Sequence, residues 1–150
     1  MSNDEELRFC ASREVSHSGI RPVPDILLRV LMVEDCDLDV ALYRDVARHI
    51  GTAYHLDVVK SGEEALQLIQ EHHYDVFLID RVLPGMHGCE LSRRLREYEA
   101  TRHTIQIGIG ADFSYGTHPS LDIVLPKDSN PNHARRVEEA FLKLAYKKRE

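Results

Sequence analysis

A chain of 150 residues, 43% of them hydrophobic, carries enough apolar material for one domain with a real core and too little length for two. Its 25 acids against 19 Lys and Arg give a formal charge of -6. The bases cluster only at Arg93, Arg94 and Arg96 and at Lys147-Lys148-Arg149, which disfavours direct binding of nucleic acid or an anionic membrane. No run approaches the ~18 apolar residues of a membrane span, and the polar, acidic start Met1 to Arg8 is unlike a secretion signal, so the expected location is cytoplasmic. Three cysteines, Cys10, Cys36 and Cys89, have an odd count and no metal-type spacing, which argues against a disulfide framework or a zinc site.

Residues 1–25 mix Ser, Asn, Glu and Arg without a sustained period and run into Arg21-Pro22-Val23-Pro24, the pattern of a flexible arm with a stiff linker. From there to residue 150 the chain reads as one domain. Ile26 to Val33 is a strand ending in Glu34-Asp35. Asp37 reads as an N-cap, and Leu38, Ala41, Leu42, Val46 and Ile50 repeat at helical spacing as far as Gly51. Tyr54 to Val59 is a second strand, and Ser61-Gly62-Glu63-Glu64 is a capping box opening a helix that turns Ala65, Leu66 and Ile69 inward. Val76 to Asp80 is a strand buried on both faces. The helix after Gly88 carries Leu91, Leu95 and Tyr98 on one stripe, with its arginines on a solvated face. Thr104 to Ile109 and Ile123 to Leu125 complete the strands. Asn130-Pro131 then starts a last helix marked by Ala134, Val137, Phe141, Leu144 and Ala145.

Such alternation implies a parallel sheet with helices on both faces. Residues 110–122 hold Gly110, Gly116 and Pro119, so the helix expected there is short or missing. In an open parallel sheet ligands bind outside the carboxyl ends of the strands, the edge to which Glu34, Asp35 and Asp80 come; if the first and third strands are neighbours, the three crowd one pocket. Carboxylates that close raise one another's pKa unless a cation joins them. Hard oxygen ligands with an incomplete shell suit Mg2+, which leaves Asp80 as a nucleophile toward phosphorus. Lys127, just after the fifth strand, would pair with Asp80 before reaction and with a phosphoryl oxygen afterwards.

On Leu31-Met32-Val33-Glu34-Asp35, on Phe77-Leu78-Ile79-Asp80-Arg81-Val82-Leu83-Pro84-Gly85-Met86-His87-Gly88 and on Leu125-Pro126-Lys127-Asp128, the chain resembles a two-component response-regulator receiver domain over residues 26–148. The resemblance implies a flavodoxin-like, doubly wound five-stranded sheet of order 2-1-3-4-5. It implies that Asp80 takes a phosphoryl group from a histidine kinase or phosphotransfer protein. Mg2+ would be held by Glu34, Asp35, Asp80 and the backbone carbonyl of Val82, and Lys127 would bind the phosphate. Any catalysis would be limited to self-phosphorylation and autodephosphorylation, and a downstream protein would be the output.

Two departures stand against the family pattern. Gly110 replaces the Thr or Ser that ends the fourth strand, leaving the Ala111 amide as the local donor, and Val124 replaces the usual aromatic residue three positions before the lysine. The domain is therefore expected to accept phosphate but to transmit it by another route. The competing reading is a divergent receiver that binds partners regardless of phosphorylation. A haloacid-dehalogenase-like phosphatase is disfavoured by Asp39, which stands where that motif needs Thr or Val. An EF-hand is disfavoured by Val40 and Val46 at its sixth and twelfth positions, and an FMN site by the lack of a phosphate loop after the first strand. The expected assembly is a single-domain regulator or a piece cut before a linker, with dimerisation through the arm left open.

Overall fold

The computed structural model describes residues 28–50, 54–110, 118–127 and 132–149. The arm at 1–25, Ala111 and the Asn130-Pro131 cap lie outside the described residues. In chain order the elements are β1 Leu28–Val33, α1 Asp37–Ile50, β2 Tyr54–Val59, α2 Gly62–Leu68, β3 Val76–Asp80, α3 Gly88–Glu97, β4 Ile105–Gly110, β5 Ile123–Pro126 and α4 His133–Arg149. All strand pairs are parallel and the order is β2-β1-β3-β4-β5, the flavodoxin-like arrangement. Among the described residues no helix lies between β4 and β5, where 118–122 form a turn. None of the helices among the described residues is long and apolar enough to cross a membrane.

Strand alternation divides the core into two layers. Val30, Met32, Val76, Leu78, Ile105, Ile107 and Ile109 face Tyr43 of α1 and Ala134, Val137, Phe141 and Ala145 of α4. The intervening residues Leu31, Val33, Phe77 and Ile79 face Ala65 of α2 and Leu91 and Leu95 of α3. Each fully buried aliphatic or aromatic side chain contributes about 1.5–3 kcal/mol, so these two layers supply most of the drive for folding.

The helix faces differ from the sequence pattern in places. Leu38 is 82% exposed, and the inward line of α1 runs through Asp39, Leu42, Tyr43 and Val46. Polar Asp39 and Tyr43 stand four residues apart on that line, so an apolar count assigned the stripe to its neighbour. Asp37 is the first helical residue rather than a cap, since Val40 N–H already bonds the Cys36 carbonyl at 3.0 Å. At α2 the Glu64 amide donates to Ser61 Oγ (3.2 Å), while the Glu64 carboxylate reaches back one residue further, to the Lys60 amide at 3.0 Å.

Arg93 and Arg94 are solvated, but Arg96 is not a surface arginine. It donates to the carbonyls of Ser120 (2.9 Å), Arg102 (2.8 Å) and Thr104 (2.8 Å) and to Asp122 Oδ2 (3.1 Å). Asp122 in turn accepts from the Gln106 amide at 2.7 Å, and the buried Gln106 side chain exchanges bonds with Ser92 of α3. A planar fork with five donors suits this collection of carbonyls, and it fastens the turn before β5 to the end of α3.

Candidate active site at the mouth of the sheet

Register and parity build the site. Val33 pairs with Ile79, so the next residues, Glu34 and Asp80, leave adjacent strands side by side and on the α1/α4 face. Leu125 of β5 packs on that same face, and Lys127, two residues on, returns to it; its amide bonds the Gly110 carbonyl at 2.6 Å. The two acids are almost fully enclosed, Glu34 at 1% and Asp80 at 7% exposure, while Asp35 faces solvent.

The Lys127 ammonium draws the acids together. It lies 2.9 Å from Glu34 Oε1, 3.5 Å from Asp80 Oδ1 and 2.6 Å from Asp39 Oδ2. Burial pushes the Glu34 carboxyl up to about 7 against the pull of Lys127, and the charge of Asp80 adds to the rise. Burial also raises Asp80, opposed by Lys127 and reinforced by Asp35. For Lys127 burial works against the charge, but Asp39 and Glu34 outweigh it and keep the ammonium protonated. Behind this cluster Tyr43 is held neutral by burial and by the charges of Glu34, Asp39 and Asp80, and its hydroxyl meets His133 Nε2 of α4 at 2.8 Å.

The loop after Asp80 is pinned by backbone and side chain together. Arg81 N–H bonds Ile109 O at 2.9 Å and Gly88 N–H bonds Arg81 O at 3.0 Å. Leu83 and Met86 are buried beside Ala65. A Cβ on Gly62 would meet the Met86 sulfur at 3.0 Å, so a glycine at the head of α2 allows this approach. Gly85 turns the loop with φ 74°, a conformation that costs any L side chain. Val82 sits in this loop, two residues beyond Asp80, with its side chain exposed.

Carboxylate oxygens of Glu34, Asp35 and Asp80 all lie within 4.8 Å of one another. Three hard anionic donors at that spacing, two of them buried beside a cation that only partly neutralises them, fit a divalent metal such as Mg2+. Of the residues singled out in the sequence, the structure brings Glu34, Asp35, Asp80 and Lys127 together; Ala111 lies outside the described residues. At the two departures, Gly110 closes β4 without a side-chain donor, and Val124 pairs with Gly108 in the sheet. Sequence reasoning passed over Asp39 and the Tyr43–His133 pair. The parity of the strand ends, combined with the 3.6-residue period of α1, could have found Asp39.

Residues 30–116 match the family described as the response regulator receiver domain, more than half of the chain. The polar-differentiation response regulator DivK of Brucella ovis is 39% identical over 82 residues, which cover 55% of this chain and 65% of DivK. The virulence sensor protein BvgS of Bordetella bronchiseptica is 40% identical over 77 residues, 51% of this chain and 6% of that much longer protein. Among solved structures, the response regulator TrrA of Thermotoga maritima, in complex with Mg2+ and BeF, superposes with a TM-score of 0.67 at 26% identity, covering 79% of this chain and 99% of TrrA. The chemotaxis response regulator CheY4 of Vibrio cholerae shares the fold, with a TM-score of 0.67 at 20% identity over 77% of this chain and 98% of its own. With the family match over residues 30–116, the β2-β1-β3-β4-β5 order and the acidic mouth beside Lys127, the chain belongs to the response regulator receiver family of two-component signalling.

Proposed function

We propose that Asp80 is a phosphoacceptor that takes a phosphoryl group from a phosphohistidine of a cytoplasmic histidine kinase or phosphotransfer protein, with Mg2+ as cofactor. The observation that carries this reading is the meeting of Asp80 with Glu34, Asp35 and the Lys127 ammonium at one strand-end mouth. An Asp80 carboxylate oxygen forms the new bond to phosphorus as the phosphorus–nitrogen bond breaks. The electron pair returns to the imidazole nitrogen, which takes up a proton from water.

Glu34, Asp35, Asp80 and the Val82 carbonyl would hold Mg2+, which supplies positive charge to the phosphoryl oxygens. Lys127 holds one of those oxygens through a charge-assisted hydrogen bond. Gly110 offers no hydroxyl, so the Ala111 amide is the local donor on that side. Loss of one hydrogen bond to a charged group weakens the phosphorylated state by about 1.5–3 kcal/mol without preventing its formation. Output then passes to a protein partner by a route other than the usual hydroxyl and aromatic pair.

Intact-mass measurement after incubation with phosphoramidate and Mg2+ tests the proposal. One added phosphoryl group is expected on the wild type and none on Asp80→Asn. Equal labelling of the two proteins, or no labelling of the wild type under conditions where an established receiver is labelled, refutes it.

A further inference from the structure

Lys127 has three N–H donors and three carboxylates around it, and they are not shared equally. Asp39 stands nearest at 2.6 Å, Glu34 follows at 2.9 Å, and Asp80, the group the lysine is expected to serve, is last at 3.5 Å. The two near partners differ in kind. Glu34 is fixed at a strand end with 1% exposure. Asp39 stands in the first turn of α1 with its side chain 28% exposed, so water can take the place of the ammonium there when the lysine moves.

We infer that Asp39 is a positioning residue that holds the Lys127 ammonium at the 3.5 Å limit of its contact with Asp80, so that close binding of a phosphoryl group at Asp80 draws the lysine off the head of α1. This inference rests on the phosphoacceptor reading and adds to it a residue outside the three matching motifs. The neighbouring turn supplies a natural comparison. Asp37 carries the same charge on the same helix, but its carboxylate is committed to Lys60 at 2.9 Å, so it does not compete for Lys127.

The parked position has two consequences. Anion binding at Asp80 is weaker than the site would otherwise allow, because each binding event breaks a short charge-assisted bond. The displacement of Lys127 also reports occupancy of Asp80 to α1, the helix whose Tyr43 contacts His133 of α4. A chain with Gly110 in place of a hydroxyl thereby keeps a movable group that responds to phosphate.

The test is titration of the full chain with beryllium fluoride in the presence of Mg2+, followed by the fluorine NMR signal of the bound complex. Asp39→Asn should bind about tenfold more tightly than wild type, the lower end for a charge-assisted hydrogen bond at a partly exposed site. Asp37→Asn, which removes the same charge from the same turn, and Asp39→Glu, which restores a carboxylate, should both stay within about twofold of wild type. Equal gains in Asp39→Asn and Asp37→Asn would show a general charge effect and overturn the inference, as would unchanged or weaker binding in Asp39→Asn. Wild-type binding that is absent, or that survives in Asp80→Asn, marks a different failure, that of the phosphoacceptor reading and of everything resting on it.

Discussion

Replacing Lys127 by Met tests how much the mouth of the sheet depends on this cation. The substitution keeps the length of the stem and removes the charge, leaving Glu34 and Asp80 enclosed with Asp39 beside them. Removing one partner of a buried ion pair costs about 3–5 kcal/mol when the remaining charge has no escape. Here an escape exists, since burial already raises Glu34 to about 7 and a proton can replace the lost ammonium. Loss of the lysine, which holds the Glu34 carboxyl down, raises that group further, so uptake of a proton limits the penalty to less than the full cost of a stranded charge. A loss on the order of 2 kcal/mol, below that of an uncompensated pair, is expected at pH 8, a fall of roughly 4–8 °C in the thermal midpoint for a chain of this size. The assay is thermal unfolding by circular dichroism at pH 8, with EDTA and with Mg2+. The Mg2+ increment should be larger in Lys127→Met than in wild type, because a divalent ion supplies the charge the lysine no longer does. A variant as stable as wild type in EDTA, with no larger metal increment, would refute the claim that these carboxylates are crowded.

Other expectations follow from individual contacts. Arg96→Ala removes four hydrogen bonds, three of them to backbone carbonyls, that tie the turn at 118–122, through Ser120 and Asp122, to the segment at Arg102 and Thr104. It should cost about 1–3 kcal/mol in urea unfolding and speed amide exchange at 120–125; unchanged exchange there would show that the clamp is not needed. For Asp57, burial works toward a raised pKa, but bonds from Tyr74 (2.6 Å) and His55 (2.7 Å) and the nearby Arg29 outweigh it and hold the carboxyl below its ordinary value. A depressed folded-state pKa gives stability that is present above the unfolded value near 4 and lost as pH falls through the folded value. Wild type should therefore lose thermal stability below about pH 4 more steeply than Asp57→Asn, and parallel curves would contradict this assignment. Gly85→Ala places a Cβ at φ 74° and 3.1 Å from Glu63 Oε1, a side chain that can swing away. A loss of about 1–2 kcal/mol by thermal unfolding is expected from the backbone conformation, and a neutral result would show that the loop relaxes.

Much of this architecture was legible in the sequence because it is written in local patterns. Alternation of apolar strands such as Val76 to Ile79 with amphipathic helices implied a parallel sheet, and acids at two strand ends implied a shared mouth provided those strands were neighbours, as β1 and β3 are. Less legible were contacts that depend on a helix's rotation about its axis. The polar inward line Asp39–Tyr43 on α1 was hidden because a search for apolar spacing selects Leu38, which faces solvent. Arg96 was misread as part of a solvated face because its partners are mostly backbone carbonyls, of Arg102, Thr104 and the more distant Ser120, and carbonyls leave no mark in a sequence. The absence of a helix in 118–122 follows from Pro119 and from the commitment of Asp122 to Arg96 and Gln106, of which only the proline could be read in advance.

Residue-level mapping of the phosphoryl group decides whether Asp80 is the acceptor. The protein is labelled with phosphoramidate and Mg2+, the acyl phosphate is reduced with borohydride, and the resulting homoserine is located by peptide mass spectrometry. Conversion is expected at position 80 alone, dependent on Mg2+ and lost in Asp80→Asn. Conversion at Glu34, Asp35 or Asp39 instead, or none anywhere while an established receiver is labelled alongside, would contradict it.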